Sequence, residues 1–169
     1  MFKLQIKYLS FFFGIVSILS FFNILYSYYF NLYLNLDTYY YTLVTSFTLF
    51  IVLFRFGKYD LKSNIFQKIL TIFLGYLLIP LVLSIPFYFS IYNLTFSNSF
   101  FEAISGFTST GFTVFDNIKL VDQSLIIWRS STQWIGGLYF LFSIIYLIDI
   151  YDDSFKKTLT NFISFNSSE

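Results

Sequence analysis

The sequence predicts an all-α membrane protein: four transmembrane helices, with a short re-entrant helix and a non-helical loop between the third and the fourth. Three observations carry this. Hydrophobic residues make up 57% of the 169-residue chain and charged ones only 11%, with a mean hydropathy of +0.70. That balance suits a polytopic membrane chain rather than a soluble domain. Uncharged runs recur at lengths matching the ~30 Å hydrocarbon core of a bilayer. Between the last two runs, an apolar stretch leads into Thr108-Ser109-Thr110-Gly111, whose residue types give it no reason to be helical.

Tyr8–Phe30 is free of charge and long enough for about 34 Å of helix. Lys3 and Lys7 precede it as they would a signal peptide. No Ala-x-Ala-like cleavage site follows, however, so a retained helix is expected. A polar break, Asn31–Asp37, leads to a second span, Thr38–Phe56, with Tyr39, Tyr40 and Tyr41 as an interfacial anchor. Arg55–Lys68 is the clearest charged stretch, holding Arg55, Lys58, Lys62 and Lys68 against Asp60. The third span, Ile69–Tyr92, contains Gly75, Pro80 and Pro86. Pro80 is expected to kink it by freeing the Tyr76 carbonyl, and Pro86 to mark its outer end. Ser97, Asn98 and Ser99 offer N-caps for a short helix near Phe100–Phe107. Ser124–Ile150 is the fourth span. In the tail, Phe155, Leu159, Phe162 and Ile163 have the spacing of a small interfacial helix. The chain thus divides into a leading hairpin (1–58), a helix–loop–helix repeat (59–150) and a tail (151–169).

The absence of Cys and His removes thiol nucleophiles, disulfides, imidazole bases and most transition-metal sites. The nine acids are scattered, so neither an enzyme nor a cofactor is expected. A net charge of +1 argues against a nucleic-acid binder. With the N-terminus inside, Lys3, Lys7, Arg55, Lys58, Lys62, Lys68, Lys156 and Lys157 are cytoplasmic, eight of the ten bases. The positive-inside rule then places both termini in the cytoplasm and the loop on the outer face of an inner or plasma membrane.

Non-helical backbone at membrane depth is tolerated where it lines a path for water or ions. Carbonyls freed from helical bonding can there replace an ion's hydration shell. Thr108, Ser109, Thr110, Gly111, Phe112 and Thr113 therefore read as a selectivity filter, with Phe100–Phe107 as its pore helix. Gly111 permits a positive φ that turns its carbonyl inward, and the C-terminal end of the pore helix favours a cation. A small-residue helix-packing patch is the competing reading. Glu102 is either the partner of Arg129 or a cation ligand, and the pair is favoured. Arg129, the only base within a span, either pairs or reaches the outer interface. Gln133, one turn further, points the same way to hold loop carbonyls. Gly136 and Gly137 suit close helix contact, with a hinge as the alternative. Asp116 and Asp122 either concentrate cations at the mouth or are solvated loop residues.

Two spaced motifs carry a resemblance. Ser105-Gly106-Phe107-Thr108-Ser109-Thr110-Gly111-Phe112-Thr113, then Trp128-Arg129 and Gln133-Trp134-Ile135-Gly136-Gly137, resemble the first pore repeat of the Trk/Ktr potassium-uptake family. The similarity covers roughly Tyr59–Asp149, and implies the N-terminal part of such a transporter subunit. It also implies K+ as the transported ion, bound through the backbone of Thr110 and Gly111, and a cytoplasmic nucleotide-binding regulatory subunit as a partner. Where the family usually carries another Gly after the pair, this chain has Leu138, Tyr139 and Phe140, whose bulk leaves the cavity lining open. A filter of this kind needs four loops around one axis, and one repeat is legible. Completion is therefore expected from another chain, or from self-association as a homo-oligomer in the bilayer. A non-conducting assembly or regulatory subunit, or a truncated remnant, is the alternative.

Overall fold

The computed structural model describes the backbone of residues 6–57 and 65–166, and side chains within 7–57 and 66–147. Its helices, in order, are α1 (Ile6–Tyr29), α2 (Leu36–Phe56), α3 (Ile65–Leu83), α4 (Ile85–Tyr88), α5 (Phe96–Phe107) and α6 (Gln123–Asn166), with a 3-10 turn at Ile118–Leu120. Three stretches, Lys7–Tyr29, Leu36–Phe56 and Phe66–Tyr88, are long and apolar enough to cross a membrane. An all-α membrane fold follows. The first turns of α6 carry Ser124, Arg129, Ser130, Ser131, Thr132 and Gln133. Lys3, Lys58 and Lys62 lie outside the described residues.

The leading hairpin shows what lipid as a solvent does to helix packing. On α2, Val44, Ile51, Val52 and Phe54 face outward, whereas the buried face is Thr38, Tyr39, Thr42 and Ser46. Lipid offers no hydrophobic gain for joining two apolar faces, so small and hydroxyl-bearing residues make the contact with α1. The Ser and Thr hydroxyls bond back into their own helix, whereas that of Tyr39 meets Ser124 of α6. Thr42 Oγ1 donates to the Thr38 carbonyl at 2.8 Å, Ser46 Oγ to Thr42 at 2.7 Å, and Ser20 Oγ to Val16 at 2.9 Å.

Three local expectations are corrected. The third span breaks at Ser84, and Pro86 lies in the first turn of the four-residue α4 instead of closing α3. A first-turn N–H has no helical acceptor, so Pro is tolerated there. The freed Leu83 carbonyl region is closed by Trp128, whose Nε1–H donates to Leu83 O at 3.0 Å. Second, α5 begins at Phe96, and its cap is Thr95, whose Oγ1 accepts from Asn98 N at 3.3 Å. Stacking of Phe96 on Phe100 accompanies that earlier start. Third, α6 is one continuous helix of 44 residues, so the tail is its extension and not a separate element.

A polar clasp ties the hairpin to the start of α6. Asn35 Nδ2 donates to the Asp122 carboxylate at 3.0 Å, while Asn35 Oδ1 accepts from Ile91 N at 3.1 Å. Ser124 Oγ donates to the same carboxylate, and lies 2.9 Å from the buried Tyr39 hydroxyl. Asp122, read from sequence as an exposed mouth residue, is thus engaged just ahead of a helix N-terminus, where a carboxylate is stabilised.

Candidate ion-coordinating loop

The loop is set by the close docking of α5 on α6. Gly106 and Gly136 make this approach possible: a Cβ on Gly136 would overlap the Phe107 backbone, and one on Gly106 would overlap Thr132 Oγ1. Gly137, by contrast, meets nothing within 4 Å. It faces a concavity of about 450 Å³ lined by Tyr76, Phe107, Thr108, Ser109, Gly136 and Phe140, directly at the C-terminal end of α5. Tyr139 turns away from this space. Its ring is fully buried and its hydroxyl donates to the Ile72 carbonyl at 2.9 Å, so of the three bulky residues only Phe140 borders the concavity.

From Phe107 onward the chain leaves the helix through two positive φ values, +57° at Ser109 and +81° at Gly111. A Cβ at Gly111 would meet nothing, so glycine is required by backbone conformation and not by space. The inner side of the loop is anchored by Ser105. Its Oγ donates to the Phe112 carbonyl at 2.6 Å and lies 3.1 Å from Thr110 Oγ1, while Thr110 N donates to Ser105 O at 3.1 Å. Ser105 is a residue that the sequence motif contains but does not single out. A hydroxyl in the last turn of a helix, just before a Thr/Gly run, is its signal.

Behind the loop, Glu102 is fully buried and Arg129 partly so, and the two form an ion pair at 2.5 Å through Arg129 Nε. Snorkelling to the interface is not the conformation observed. Glu102 also accepts from Thr113 Oγ1 at 3.1 Å and from Val114 N at 2.9 Å, so the carboxylate is consumed by the loop and by Arg129. Arg129 Nη2 reaches forward to the carbonyls of Gly111, at 3.1 Å, and Phe112, at 3.0 Å. The Gln133 side chain makes no hydrogen bond among the described residues; the carbonyl-holding contact expected of it falls to Arg129. Trp134 is largely exposed, while Trp128 is buried. Asp116 is exposed.

The segment therefore has two halves. Phe112 O accepts twice and Gly111 O once, both from side chains behind the loop. The carbonyls of Thr108, Ser109 and Thr110 accept no hydrogen bond among the described residues, and all three residues are exposed. Unpaired carbonyls at the negative end of a helix, beside an open concavity, present oxygen ligands of the kind that dehydrated alkali cations need.

No family model matches the chain, and no solved structure does. Curated relatives match over short stretches. An uncharacterized cation transporter of Methanocaldococcus jannaschii is 35% identical over 65 residues, 38% of this chain and 14% of that protein. The Trk system potassium uptake protein TrkH of Escherichia coli is 34% identical over 85 residues, 50% of this chain and 17% of that protein. TrkI, a Trk system potassium uptake protein of Halomonas elongata, is 37% identical over 60 residues, 36% of this chain and 11% of that protein. Each match spans less than a fifth of the relative's length. Over those stretches the chain is similar to potassium-uptake and cation-transport proteins, and its apolar helices match a transmembrane protein of that kind.

Proposed function

We propose that this chain forms one wall of a potassium pathway across the membrane, as the first helix–pore–helix repeat of a Trk/Ktr-like transporter. Another chain supplying the remaining repeats, or further copies of this one, completes the ring. In this reading α6 is the fourth span. The helix α5, about 18 Å long and too short to cross a bilayer, enters and returns on the outer face. Both termini are cytoplasmic, and the protein resides in an inner or plasma membrane. The observation that carries the proposal is the exposed Thr108–Thr110 backbone, with its carbonyls unpaired, inside an otherwise apolar protein. Lipid does not tolerate such groups, whereas an ion path requires them.

Two measurements test it. A single cysteine in place of Asn117, introduced without background because the chain has no Cys, is expected to react with an impermeant thiol reagent from outside. Reaction from the cytoplasmic face alone would invert the topology. In potassium-uptake-deficient cells, the chain with its completing partner is expected to restore growth on low potassium. Gly111→Ser strains the +81° backbone and is expected to slow uptake or relax K+ over Na+ preference. Restored growth with both properties unchanged in Gly111→Ser would remove Gly111 from the filter. Failure of every combination to restore growth would favour a non-conducting subunit.

A further inference from the structure

We infer that Arg129 is a positioning residue that divides the loop, withdrawing the Gly111 and Phe112 carbonyls from the ion and leaving those of Thr108, Ser109 and Thr110 as ligands for a monovalent cation. This rests on the ion-pathway reading above and specifies which of its oxygens bind. The guanidinium is not free to move. Its Nε is held by Glu102, which is itself fully buried and fixed by Thr113 and Val114. Its Nη2 lies 3.1 Å from one carbonyl and 3.0 Å from the next, so a single nitrogen grips two successive peptide oxygens. A carbonyl oxygen has two lone pairs. Both on Phe112 are used, by Ser105 Oγ at 2.6 Å and by Arg129. Gly111 O keeps one lone pair, but a fixed positive charge in contact with it repels any cation approaching the same atom. The three preceding carbonyls have neither competitor. Arginine suits this task and lysine does not, because only a planar fork can hold the carboxylate and the carbonyls at once.

The chain allows these oxygens to be read one by one. Thr110–Gly111 is its only Thr–Gly peptide, so carbonyl-13C threonine with 15N glycine isolates the Thr110 carbonyl by solid-state NMR of the labelled full chain, assembled in bilayers with its unlabelled completing partner. Carbonyl-13C glycine with 15N phenylalanine reports Gly111–Phe112, and Gly106–Phe107 inside α5 serves as a reference for the fold. Replacing K+ by N-methylglucamine is expected to shift Thr110 and leave Gly111 in place. In Arg129→Gln the Gly111 resonance is expected to move upfield, having lost its donor, and to become sensitive to K+, with Gly106 unmoved. Arg129→Lys, which keeps the charge, is expected to produce the same change in smaller degree, and carries the test should Arg129→Gln not accumulate. The inference is overturned if Gly111 responds to K+ in the native chain, or if its resonance ignores both substitutions. If neither carbonyl responds to K+ in any chain while the Arg129 variants still move Gly111, the ion-pathway reading has failed, and the assignment of ligands falls with it although the grip is real.

Discussion

The small hydroxyls at the seam between α1 and α2 and the polar side chains around the loop of the repeat are used in opposite ways. Along α1 and α2 the hydroxyls of Ser20, Thr42 and Ser46 bond within their own helices, three or four residues back. In the repeat, polar side chains reach across elements. Glu102 on α5 holds Thr113 and Val114, Arg129 on α6 holds Glu102, Gly111 and Phe112, and Tyr139 on α6 holds Ile72 on α3. The difference separates two uses of polarity in lipid. Local bonds merely make a hydroxyl acceptable there, and leave helix contact to shape. Bonds between elements fix where a segment without secondary structure must run.

The contrast predicts unequal costs. Breaking the repeat's network should be the most damaging change. Arg129→Gln or Glu102→Gln leaves the other member buried without its partner, an effect of about 3–5 kcal/mol. A double-mutant cycle on folded yield in bilayers should show strong coupling, whereas additive effects would mean that the pair does not act as a unit. Next comes Gly136→Ala, whose Cβ meets the Phe107 backbone and forces α5 from α6. Overpacking of this kind costs about 1–3 kcal/mol, and thermal unfolding in detergent would register it. Gly137→Ala, with open space at its Cβ, is the matched control and should be close to neutral. The smallest effect belongs to the hairpin. Ser46→Ala removes a bond to the residue's own helix and should change stability by about 0.5 kcal/mol or less. A loss as large as that at Glu102 would erase the distinction between the two regions.

Much of this organisation can be read from residues alone, and the parts that cannot have identifiable causes. The first three spans follow from the lengths of the apolar runs. The Glu102–Arg129 pair follows from the scarcity of charge: Glu102 is the only acid between Phe96 and Thr110, and Arg129 the only base between Ser124 and Ile150. Helix α6 runs on past Ile150 because helical hydrogen bonding needs no apolar side chains, so Asp149, Asp152 and Asp153 do not interrupt it. The cap of α5 is ambiguous because Thr95, Ser97, Asn98 and Ser99 all have suitable side chains. The grip of Arg129 on two carbonyls depends on how far a long side chain extends between helices, which spacing along one chain does not report.

The Tyr139 hydroxyl occupies the place that a side chain on Gly75 would need. The two positions, on different helices and far apart in sequence, therefore share one volume. In evolutionary terms neither is free to drift alone. A residue larger than glycine at 75 becomes acceptable only after 139 has shrunk, and a small residue at 139 leaves a void that pressure on 75 can fill. A glycine at 139 would release position 75 to carry a side chain.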